Sequence, residues 1–474
     1  MSTITVLGAG MNGLTTAMLL ARDGHEVTVL ERDPSCPPTT PARAWEQWER
    51  PGVGQFRQLH FMLPRWREEL QETLPEVLDD LVAAGGIRLN LLAAVPEERR
   101  GPLRPGDERF ETITARRPVL EAVLAAVAGR TPGLKIRRGV AVTGFVTGTP
   151  SAPGVPHVTG VRTGDGERIL ADLVVDCRGR NSRVADWLTS IGALPPLEER
   201  DDCGFVYFSR HFRSPDGGMP QSIGPILQHY APFSVVTLVA DNGTWSVGIV
   251  ASAADHALRR LREPDAWHAA LARCPLVAHW AAGRGVEAFT GVDVMPGLGD
   301  RHRRLVVDGD PVVTGVVLAG DAWARTNPAL GRGTSIGAAH ARTLQQVLRE
   351  VDPVDAEKLV RRFDDATAAL VEPMYRATRA LDRHRLAELA GEVDGRPYET
   401  DDPVWAMTKA LGAASLVDPD ALRMHLRLAV LLEPAQQVFA DPAVVQRVLS
   451  LAAGAPRYPL PGPSRTEVLE AIAG

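Results

Sequence analysis

At the start of the chain, apolar and polar positions follow the order strand, glycine-rich turn, helix, strand. The apolar run at 4–7 predicts a short buried strand, and apolar residues recur at helical spacing over 14–22. Gly24 is placed to end that helix, and a second apolar run occupies 27–30. The pattern predicts a βαβ unit and therefore a parallel sheet.

Further along the chain, the pattern changes twice. Between about 201 and 294, segments of alternating apolar and polar residues predict an antiparallel sheet. The apolar run at 316–319 predicts a return to the parallel sheet, and beyond 337 the spacing is mostly helical. The other predicted elements are helices over 59–84, 118–128 and near 266–272, a hairpin-like stretch around 147–166 and a strand over 173–175.

The composition and charge of the chain argue against several classes of protein. With 474 residues, the chain can form roughly two or three domains, and its 45% hydrophobic content is typical of globular proteins. A net charge of −6 argues against a nucleic-acid partner, which calls for a basic domain. No apolar run reaches the roughly 18 residues that span a bilayer, and the N-terminal segment lacks the features of a secretory signal.

Cysteine is sparse in this chain. The four cysteines, Cys36, Cys177, Cys203 and Cys274, include no CxxC pair. Their spacing suits neither a disulfide framework nor a zinc site. It therefore predicts a reducing, cytoplasmic setting and no bound metal.

The turn after the first predicted strand carries a GxGxxG motif. Gly8, Gly10 and Gly13 are its glycines, and Met11 and Asn12 lie between the last two. The first glycine permits a tight turn, the second lets the backbone approach a pyrophosphate, and the third lets the helix pack closely on the strand. The helix N-terminus offers free N–H groups to phosphates. The motif predicts a dinucleotide site.

The end of the second predicted strand carries an acid, Glu31, followed by Arg32. A carboxylate at this distance from the glycines accepts hydrogen bonds from the ribose hydroxyls of an adenine dinucleotide and repels a 2′-phosphate. Glu31 and Arg32 are therefore predicted to lie on the adenosine side of the cofactor.

Three later segments carry a family resemblance. The segment 172–183, which contains Asp176, resembles the "DG" fingerprint of flavoprotein monooxygenases, and Gly320 with Asp321 resembles their "GD" fingerprint. The segment 328–333 resembles the P-x-x-G-x-G turn that precedes a long helix in those enzymes. The chain thus resembles FAD-dependent monooxygenases of the p-hydroxybenzoate hydroxylase-like superfamily over about residues 1–345.

The resemblance implies roles for the late motif. Asp321 would accept a hydrogen bond from a ribityl hydroxyl, while Pro328, Gly331 and Gly333 would bring backbone close to the isoalloxazine. The helix that begins near Thr334 would aim its positive end at the N1–O2 edge of the flavin. A simple NAD dehydrogenase has no need of this motif, so the cofactor is predicted to be FAD.

Weaker matches lie between the fingerprints. The loop ending at Gln55, together with His60, resembles a flavin-side loop of bacterial polyether-pathway flavin epoxidases, although His60 could equally be a surface or capping histidine. Arg117 resembles the arginine that reaches the FAD phosphates, and Arg116 could take that role instead. Val142 matches a position whose backbone meets the adenine.

Substrate-side residues are less well defined. The segment 205–213, which contains Tyr207, resembles the first substrate-sheet strand of those epoxidases. The weak candidates for the substrate pocket are His60, Tyr207, Trp245 and Trp323. The run 322–327 departs from the family, which often has a small residue or histidine just after the GD pair. Trp323 and Arg325 in this run could project into the substrate pocket or could merely cap the domain interface. No catalytic acid or base is assigned.

Halogenation is disfavoured by two motifs. Tryptophan halogenases have an early lysine and a W-x-W-x-I-P motif. Here no lysine precedes Lys135, and Trp45 and Trp48 are followed by Glu49 and Arg50. The two tryptophans are expected to anchor their loop.

The predicted fold class is α/β, with a discontinuous Rossmann-like FAD-binding domain of the GxGxxG type, an inserted antiparallel-sheet substrate domain and a helical C-terminal region. The expected boundaries are 1–80, 111–190 and 299–345 for the FAD-binding domain, 81–110 for a substrate-side insertion, 191–298 for the antiparallel-sheet domain and 346–474 for the helical region. The first and last parts of the FAD-binding domain would thus be far apart in the sequence.

The resemblance implies a monooxygenase that transfers one oxygen atom of O2 to a small, partly apolar substrate of natural-product type, by hydroxylation or epoxidation through a flavin C4a-hydroperoxide. The electron donor would be NADPH or NADH, used directly or through a separate flavin reductase. Two alternatives remain at this stage. One is an FAD-dependent double-bond reductase of the geranylgeranyl reductase type, and the other is a non-catalytic ligand carrier.

Overall fold

The computed structural model describes residues 1–283, 285–297 and 299–473. Strands and helices alternate over the first part of the chain, and helices dominate after residue 333. In chain order the strands are β1 (Thr3–Leu7), β2 (Glu26–Glu31), β3 (Ile87–Asn90), β4 (Glu111–Thr114), β5 (Leu134–Arg138), β6 (Val142–Thr147), β7 (Val158–Thr163), β8 (Arg168–Leu170), β9 (Leu173–Asp176), β10 (Leu197–Asp202), β11 (Phe205–Arg213), β12 (Leu227–His229), β13 (Ser234–Val239), β14 (Thr244–Ser252), β15 (Glu287–Ala288), β16 (Asp293–Met295), β17 (Gly299–Arg304), β18 (Val306–Val307), β19 (Asp310–Pro311), β20 (Val316–Leu318) and β21 (Ala324–Arg325).

The helices connect these strands and form the C-terminal part. They are α1 (Met11–Arg22), α2 (Ala44–Gln47), α3 (Pro64–Thr73), α4 (Pro75–Ala83), α5 (Glu97–Arg100), α6 (Arg117–Gly129), α7 (Val184–Ser190), α8 (Pro264–Leu271), α9 (Gly333–Glu350), α10 (Ala356–Leu370), α11 (Glu372–Asp394), α12 (Pro403–Ala414), α13 (Pro419–Ala429), α14 (Ala435–Val438), α15 (Pro442–Leu451) and α16 (Arg465–Ala473). Short 3-10 turns at Gly320–Ala322 and Pro328–Leu330 precede α9.

A five-stranded parallel sheet forms the centre of the first part. Its order is β20-β9-β1-β2-β5, with β1 paired to both β2 and β9. Continuous apolar runs such as Leu173–Asp176 form buried strands because helices cover both faces of a parallel sheet. Helices α1, α6 and α9 pack over this core. Since all five strands run the same way, their carboxyl ends share one edge.

A second, antiparallel sheet follows in the order β12-β13-β14-β11-β15, with β16 also paired to β11. Its two faces bury different residues because side chains alternate along a strand. Phe205, Val236 and Val250 lie on one face, while Trp245 and Trp267 belong to the core on the other face, together with α8 and α16.

The predicted α/β fold class is confirmed. The parallel sheet, the antiparallel sheet and the C-terminal helices occur in the expected order. The domain boundaries stay predictions, and two of them, at 298 and 474, lie outside the described residues. Within the described residues, no helix has the length and apolarity needed to cross a membrane.

One predicted element differs in detail. The helix expected over 59–84 is two helices, α3 and α4, and it begins only at Pro64. Leu74, between the two helices, has φ −140° and ψ 53°. Pro75 explains the break, because a proline disfavours helical backbone in the residue before it.

Candidate functional site

A cavity of about 2610 Å³ opens at the carboxyl-terminal edge of the parallel sheet and continues between the antiparallel sheet and the C-terminal helices. Its size exceeds the roughly 300–1,000 Å³ of ordinary small-molecule sites. One part is bounded by the glycine turn, Arg117 and the start of α9, and another by Val236, Val250 and α11. A cavity of this size has room for a large cofactor and a substrate together.

The glycine turn between β1 and α1 has the geometry that its motif predicts. Gly8 has φ +99°, in the left-handed region that favours glycine. A Cβ on Gly13 would lie 2.0 Å from the Gly8 carbonyl oxygen, so α1 can pack here only with glycine. A Cβ on Gly10 would meet no atom within 4 Å, and Gly10 lines the cavity. The turn therefore leaves open space where a phosphate could approach the backbone.

Glu31 supports the same turn. Its Oε2 accepts hydrogen bonds from the Ala9 backbone N–H at 2.9 Å and from Arg50 at 2.6 Å, and its Oε1 accepts from the Asp33 N–H at 3.0 Å. The side chain is buried and yet lines the cavity. These hydrogen bonds hold the Glu31 carboxylate at the end of β2, where it could contact the ribose of a bound adenine dinucleotide.

Arg50 was not predicted as a site residue. Its guanidinium is buried between two carboxylates, Glu31 and Glu121, and it also donates to the Ala9 carbonyl at 3.2 Å. Arg50 lines the cavity. It lies just before the loop that ends at Gln55, but it is not part of that match, so no motif identified it.

Arg117 occupies the first turn of α6 and faces the cavity. It donates to Glu121 Oε1 at 2.7 Å and meets His60 Nε2 at 3.1 Å and Gln55 Oε1 at 3.5 Å. His60 Nδ1 lies 2.9 Å from the Gln58 carbonyl, so Nδ1 donates there and Nε2 accepts from Arg117. Burial and the charge of Arg117 lower the pKa of His60 to about 3, which keeps the ring neutral.

The choice between Arg116 and Arg117 follows from their partners. Arg116 forms a buried ion pair with Asp241, with its Nη2 2.6 Å from Oδ2, and its guanidinium lies 4.9 Å from the Trp45 ring centre. It does not line the cavity, whereas Arg117 does. Arg117 is therefore the one placed to meet an anionic ligand.

Two aspartates at neighbouring strand ends differ in their surroundings. Asp176, the last residue of β9, is fully buried and accepts from Arg178 at 2.7 Å and from Ser182 at 2.7 Å. Burial acts to raise its pKa, but the charge and hydrogen bonds of Arg178, with the Ser182 hydrogen bond, lower it. Asp176 lies behind the cavity wall. Asp321 lines the cavity, its carboxylate has no hydrogen bond among the described residues, and burial raises its pKa.

The start of α9 also faces the cavity. Gly320 has φ +57°, and a Cβ there would lie 2.4 Å from Asn12 Nδ2. Gly331 has φ +65°, and α9 begins with no side-chain cap. The Thr334 hydroxyl is buried and has no hydrogen-bond partner in the described part of the chain. Uncapped N–H groups and an unpaired hydroxyl fit an electron-rich ligand edge.

The residues around the cavity fit a bound FAD. Open space at Gly10, a cation at Arg117 and an uncapped start of α9 match the phosphates and the flavin edge that carries negative charge. Most predicted cofactor residues line the same cavity, namely Gly8, Gly10, Met11, Asn12, Glu31, Arg32, Gln55, Arg117, Val142, Asp321, Pro328, Gly331, Gly333 and Thr334. Three predicted cofactor residues do not line the cavity but lie behind its lining, namely Gly13, Asp176 and Gly320. These three could contribute to a cofactor site only by holding the lining residues in place.

The weak substrate candidates are dispersed. Of the four, only His60 lines the cavity. Tyr207 is buried on the cavity side of the antiparallel sheet and donates to Asn327, while Trp245 lies on the opposite face, where it donates to the Trp280 carbonyl at 2.7 Å. Trp323 packs between His302 and His340 behind α9.

Comparison with known proteins agrees with this geometry. Residues 3–92, which contain the glycine turn, Glu31 and Arg50, match the family model described as FAD dependent oxidoreductase. The chain has the fold of FAD-dependent oxidoreductases. It is also 28% identical, over 383 residues, to Protein Rv3254 of Mycobacterium tuberculosis, an alignment that covers 78% of each chain.

Solved structures share the fold over most of the chain. A flavoprotein/dehydrogenase from Cytophaga hutchinsonii has a TM-score of 0.59 at 16% identity, covering 95% of this chain and 98% of the other. PqsL, a probable FAD-dependent monooxygenase from Pseudomonas aeruginosa, has 0.55 at 14% identity, covering 83% and 99%. The flavin-dependent halogenase CmlS has 0.58 at 16% identity, covering 91% and 76%. The fold and the family match support an enzyme with FAD as its cofactor.

Proposed function

We propose that this protein is a flavin-dependent monooxygenase that transfers one oxygen atom of O2 to a small, partly apolar organic substrate. The observation that carries the proposal is the single cavity, which joins the glycine turn and the start of α9 to an apolar wall on the antiparallel sheet. Such a cavity would hold FAD and a substrate side by side. Hydroxylation and epoxidation both fit this arrangement.

The residues on the cofactor side would bind and orient FAD. The α1 N-terminus at Gly10 and the cation Arg117 would hold the phosphates, and Glu31 would accept from the ribose. Bound FAD supplies the electron transfer and the activation of O2. Asp321 would accept from the ribityl chain, and the Thr334 hydroxyl would donate to the flavin edge.

The residues on the substrate side would exclude water. Phe205, Val236, Leu238 and Val250 present an apolar surface to the cavity. An apolar wall keeps bulk water away from a reactive oxygen species and packs against a partly apolar substrate. The double-bond reductase and the carrier remain alternatives, because both could use the same fold.

The test begins with purified protein reconstituted with FAD. Stopped-flow reduction by NADH or by NADPH alone would show whether a separate reductase is needed. The reduced protein is then mixed with aerated buffer. We expect equimolar bound FAD and rapid reoxidation with O2 consumed and hydrogen peroxide released when no substrate is present. Flavin that stays reduced in air would support the double-bond reductase, and failure to bind FAD would support the carrier.

Arg117→Gln and Arg116→Gln form a matched pair for this test. Arg117 faces the cavity and Arg116 does not. We expect the Arg117 variant to lose FAD affinity while it stays folded, and the Arg116 variant to lose stability because Asp241 is left buried without its partner. Equal loss of FAD affinity in two folded variants would contradict the assignment of the phosphate site.

A further inference from the structure

The cavity extends into the helical C-terminal region, where charged side chains line it. Arg385 and Glu388 on α11, Lys409 on α12 and Arg457 between α15 and α16 all line this part, which we call the helical end of the cavity. It is bounded by α11, α12 and the segment 455–460, and includes neither the glycine turn nor the start of α9.

One buried carboxylate at the helical end is shared by two cations. Glu388 Oε2 accepts from Arg385 Nη1 at 3.1 Å, and Glu388 Oε1 lies 3.0 Å from Lys409 Nζ. The guanidinium of Arg385 also donates to Ser234 Oγ and to the carbonyls of Tyr230 and Phe233, so it is held against the antiparallel sheet. Glu388 uses one of the three N–H groups of Lys409, which leaves two that can donate to a ligand.

Arg457 has no partner of this kind. Its Nη1 is buried and without a hydrogen-bond acceptor among the described residues. Burial lowers the pKa of Lys409, and the charges of Arg385 and Arg457 add to this effect while Glu388 opposes it. Arg457 therefore lies close enough to Lys409 for the two charges to repel each other, and a buried guanidinium N–H without an acceptor is unfavourable.

Tyr458 lies between these charged groups. Its ring centre is 5.2 Å from Lys409 Nζ and 5.5 Å from the guanidinium carbon of Arg385. Its hydroxyl donates to Glu392 Oε1 at 3.3 Å, and burial raises its pKa to about 12, so it is neutral at pH 7. The ring of Trp405, 5.6 Å from Lys409 Nζ, gives the ammonium group a second aromatic neighbour.

The charges at the helical end do not cancel. Three cations, Arg385, Lys409 and Arg457, face two carboxylates, Glu388 and Glu392. One positive charge is therefore in excess, and Arg457 is the cation without a partner.

Other titratable groups at this end leave the excess in place. Burial lowers the pKa of His229 well below its ordinary value and that of His425 to about 4, so both rings are neutral at pH 7. Asp402 is 40% exposed, and its oxygens accept from the first N–H groups of α12 and from His384 at 3.1 Å. Water and these donors screen its charge.

Apolar side chains continue the cavity from the helical end. Ile226 and Leu227 on the sheet side and Leu422 and Leu426 on α13 line it. They belong to the same apolar cluster as Val236. A ligand here would meet a positive group and an apolar surface together.

We propose that Arg457 and Lys409 bind the carboxylate group of an apolar ligand, whose hydrocarbon part lies against Ile226, Leu422 and their neighbours. This inference goes beyond the proposed function, because it assigns a ligand class to the helical end whether or not a bound flavin reacts with O2. A single excess charge matches a monoanion, and the planar guanidinium donates two parallel hydrogen bonds to a carboxylate.

The test compares three probes of equal chain length in calorimetric titrations of the FAD-loaded protein at pH 7. Decanoate carries one charge, decanamide carries none, and decyl phosphate carries nearly two. We expect decanoate to bind at least about tenfold more tightly than decanamide, because hydrogen bonds to a charged group are the stronger ones. Decyl phosphate should bind less tightly than decanoate, since its second charge has no cation to neutralise it.

Variants of Arg457 separate this site from other cations. Arg457→Gln should lower decanoate affinity about tenfold and leave decanamide affinity unchanged. Arg457→Lys should recover part of the loss, because it keeps the charge but not the planar pair of donors. Arg396→Gln is the matched control, since Arg396 is a cation of the same region that is exposed and does not line the cavity. This control should behave like the parent protein.

Stability distinguishes a binding role from a structural one. Without ligand, Arg457→Gln should be at least as stable to urea as the parent protein, because the guanidinium that it removes has no partner. Lys409→Gln should be less stable, because Glu388 loses one of its two cations. Decanoate should raise the unfolding midpoint of the parent protein and much less that of Arg457→Gln.

Four outcomes would overturn the assignment. These are equal affinities for decanoate and decanamide, tighter binding of decyl phosphate, an equal loss of decanoate affinity in Arg396→Gln, and a loss of stability in Arg457→Gln. The titrations are repeated on the protein without FAD. Failure of the proposed function is then separate, because it would appear as absent FAD binding or as flavin that does not react with O2, while decanoate binding is still measured.

Discussion

The cavity has two walls of different construction. The cofactor wall, formed by the 8–13 turn, Arg117 and the start of α9, consists mainly of backbone groups and fixed charges. The substrate wall, formed by the cavity face of the antiparallel sheet and α11, consists mainly of apolar side chains with Asp382 among them. The cofactor wall can bind a specific chemical group at each position, whereas the substrate wall provides an apolar surface that excludes water.

This difference explains why the two walls constrain the sequence unequally. At Gly13 a single added carbon collides with backbone, so only glycine is allowed. On the substrate wall, Val236 or Leu238 can be exchanged for another apolar residue with a change of shape but no collision with the main chain. The sequence of the substrate wall can therefore vary more freely than that of the cofactor wall.

The largest expected effect comes from the cofactor wall. Gly13→Ala should destabilise the protein by more than about 4 kcal/mol, because its Cβ would lie 2.0 Å from the Gly8 carbonyl oxygen. Gly10→Ala is the matched control, since its Cβ meets open space. It should fold and bind FAD weakly. Urea unfolding and FAD titration measure the two effects, and equal stability of the variants would contradict the packing argument.

Arg50→Met should have the next largest effect, about 3–5 kcal/mol of lost stability at pH 7, because Glu31 would be left buried without its ion-pair partner and Glu121 would keep only Arg117. Arg117 and Arg50 lower the pKa of the buried Glu121 carboxyl group in the folded protein. The ionised Glu121 therefore stabilises the fold above its unfolded pKa, and this stabilisation is lost as the pH falls through the folded pKa. The difference between parent and variant should therefore shrink in acid. Urea unfolding at pH 7 and pH 4 tests this, and a constant difference would contradict it.

Arg117→Gln should weaken FAD binding by about 1–3 kcal/mol, which corresponds to the loss of a hydrogen bond to a charged group. Its ion pair with Glu121 at 2.7 Å is also lost, but Arg50 still neutralises that carboxylate. Fluorescence titration of the apoprotein with FAD gives the affinity. Unchanged affinity would remove Arg117 from the phosphate site.

A change on the substrate wall should be smaller and should spare the cofactor. Val236→Ala removes two methyl groups from the cavity surface and should cost about 1 kcal/mol of stability, since the enlarged space joins an existing cavity. FAD affinity should be unchanged, and the affinity for an apolar ligand of the cavity should fall a few-fold. An equal loss of FAD affinity would show that the two walls are not independent.

His60→Gln should give the smallest effect. The histidine has a lowered folded pKa, about 3, so the unfolded chain binds a proton more readily and the parent protein loses stability as pH falls below 6.5. Glutamine removes this loss while it can still accept from Arg117. Because His60 is partly exposed, we expect a gain of only about 1 kcal/mol at pH 5 relative to pH 7. A pH-independent difference would contradict a ring that stays neutral in the folded protein.

More of the candidates predicted from motifs line the cavity than of the candidates predicted for the substrate pocket. Gly8, Gly10 and Gly331 were predicted from motifs and line the cavity. Of the substrate candidates, Trp245 faces the opposite side of its sheet and Trp323 lies behind α9. Strand alternation alone could not decide which face of the antiparallel sheet would be covered by α8 and which would line a cavity.

The sequence by itself determined the strand and helix segments of the first βαβ unit and the glycine turns, because these depend on the pattern and backbone geometry of a few consecutive residues. Only the tertiary structure decided the surroundings of Arg50 and Asp382. Arg50 acquires its surroundings from Glu31 and Glu121 on other elements, and Asp382 from Asn327, which is 55 residues away. Burial and charge at such positions come from the packing of distant segments, and no local pattern encodes them.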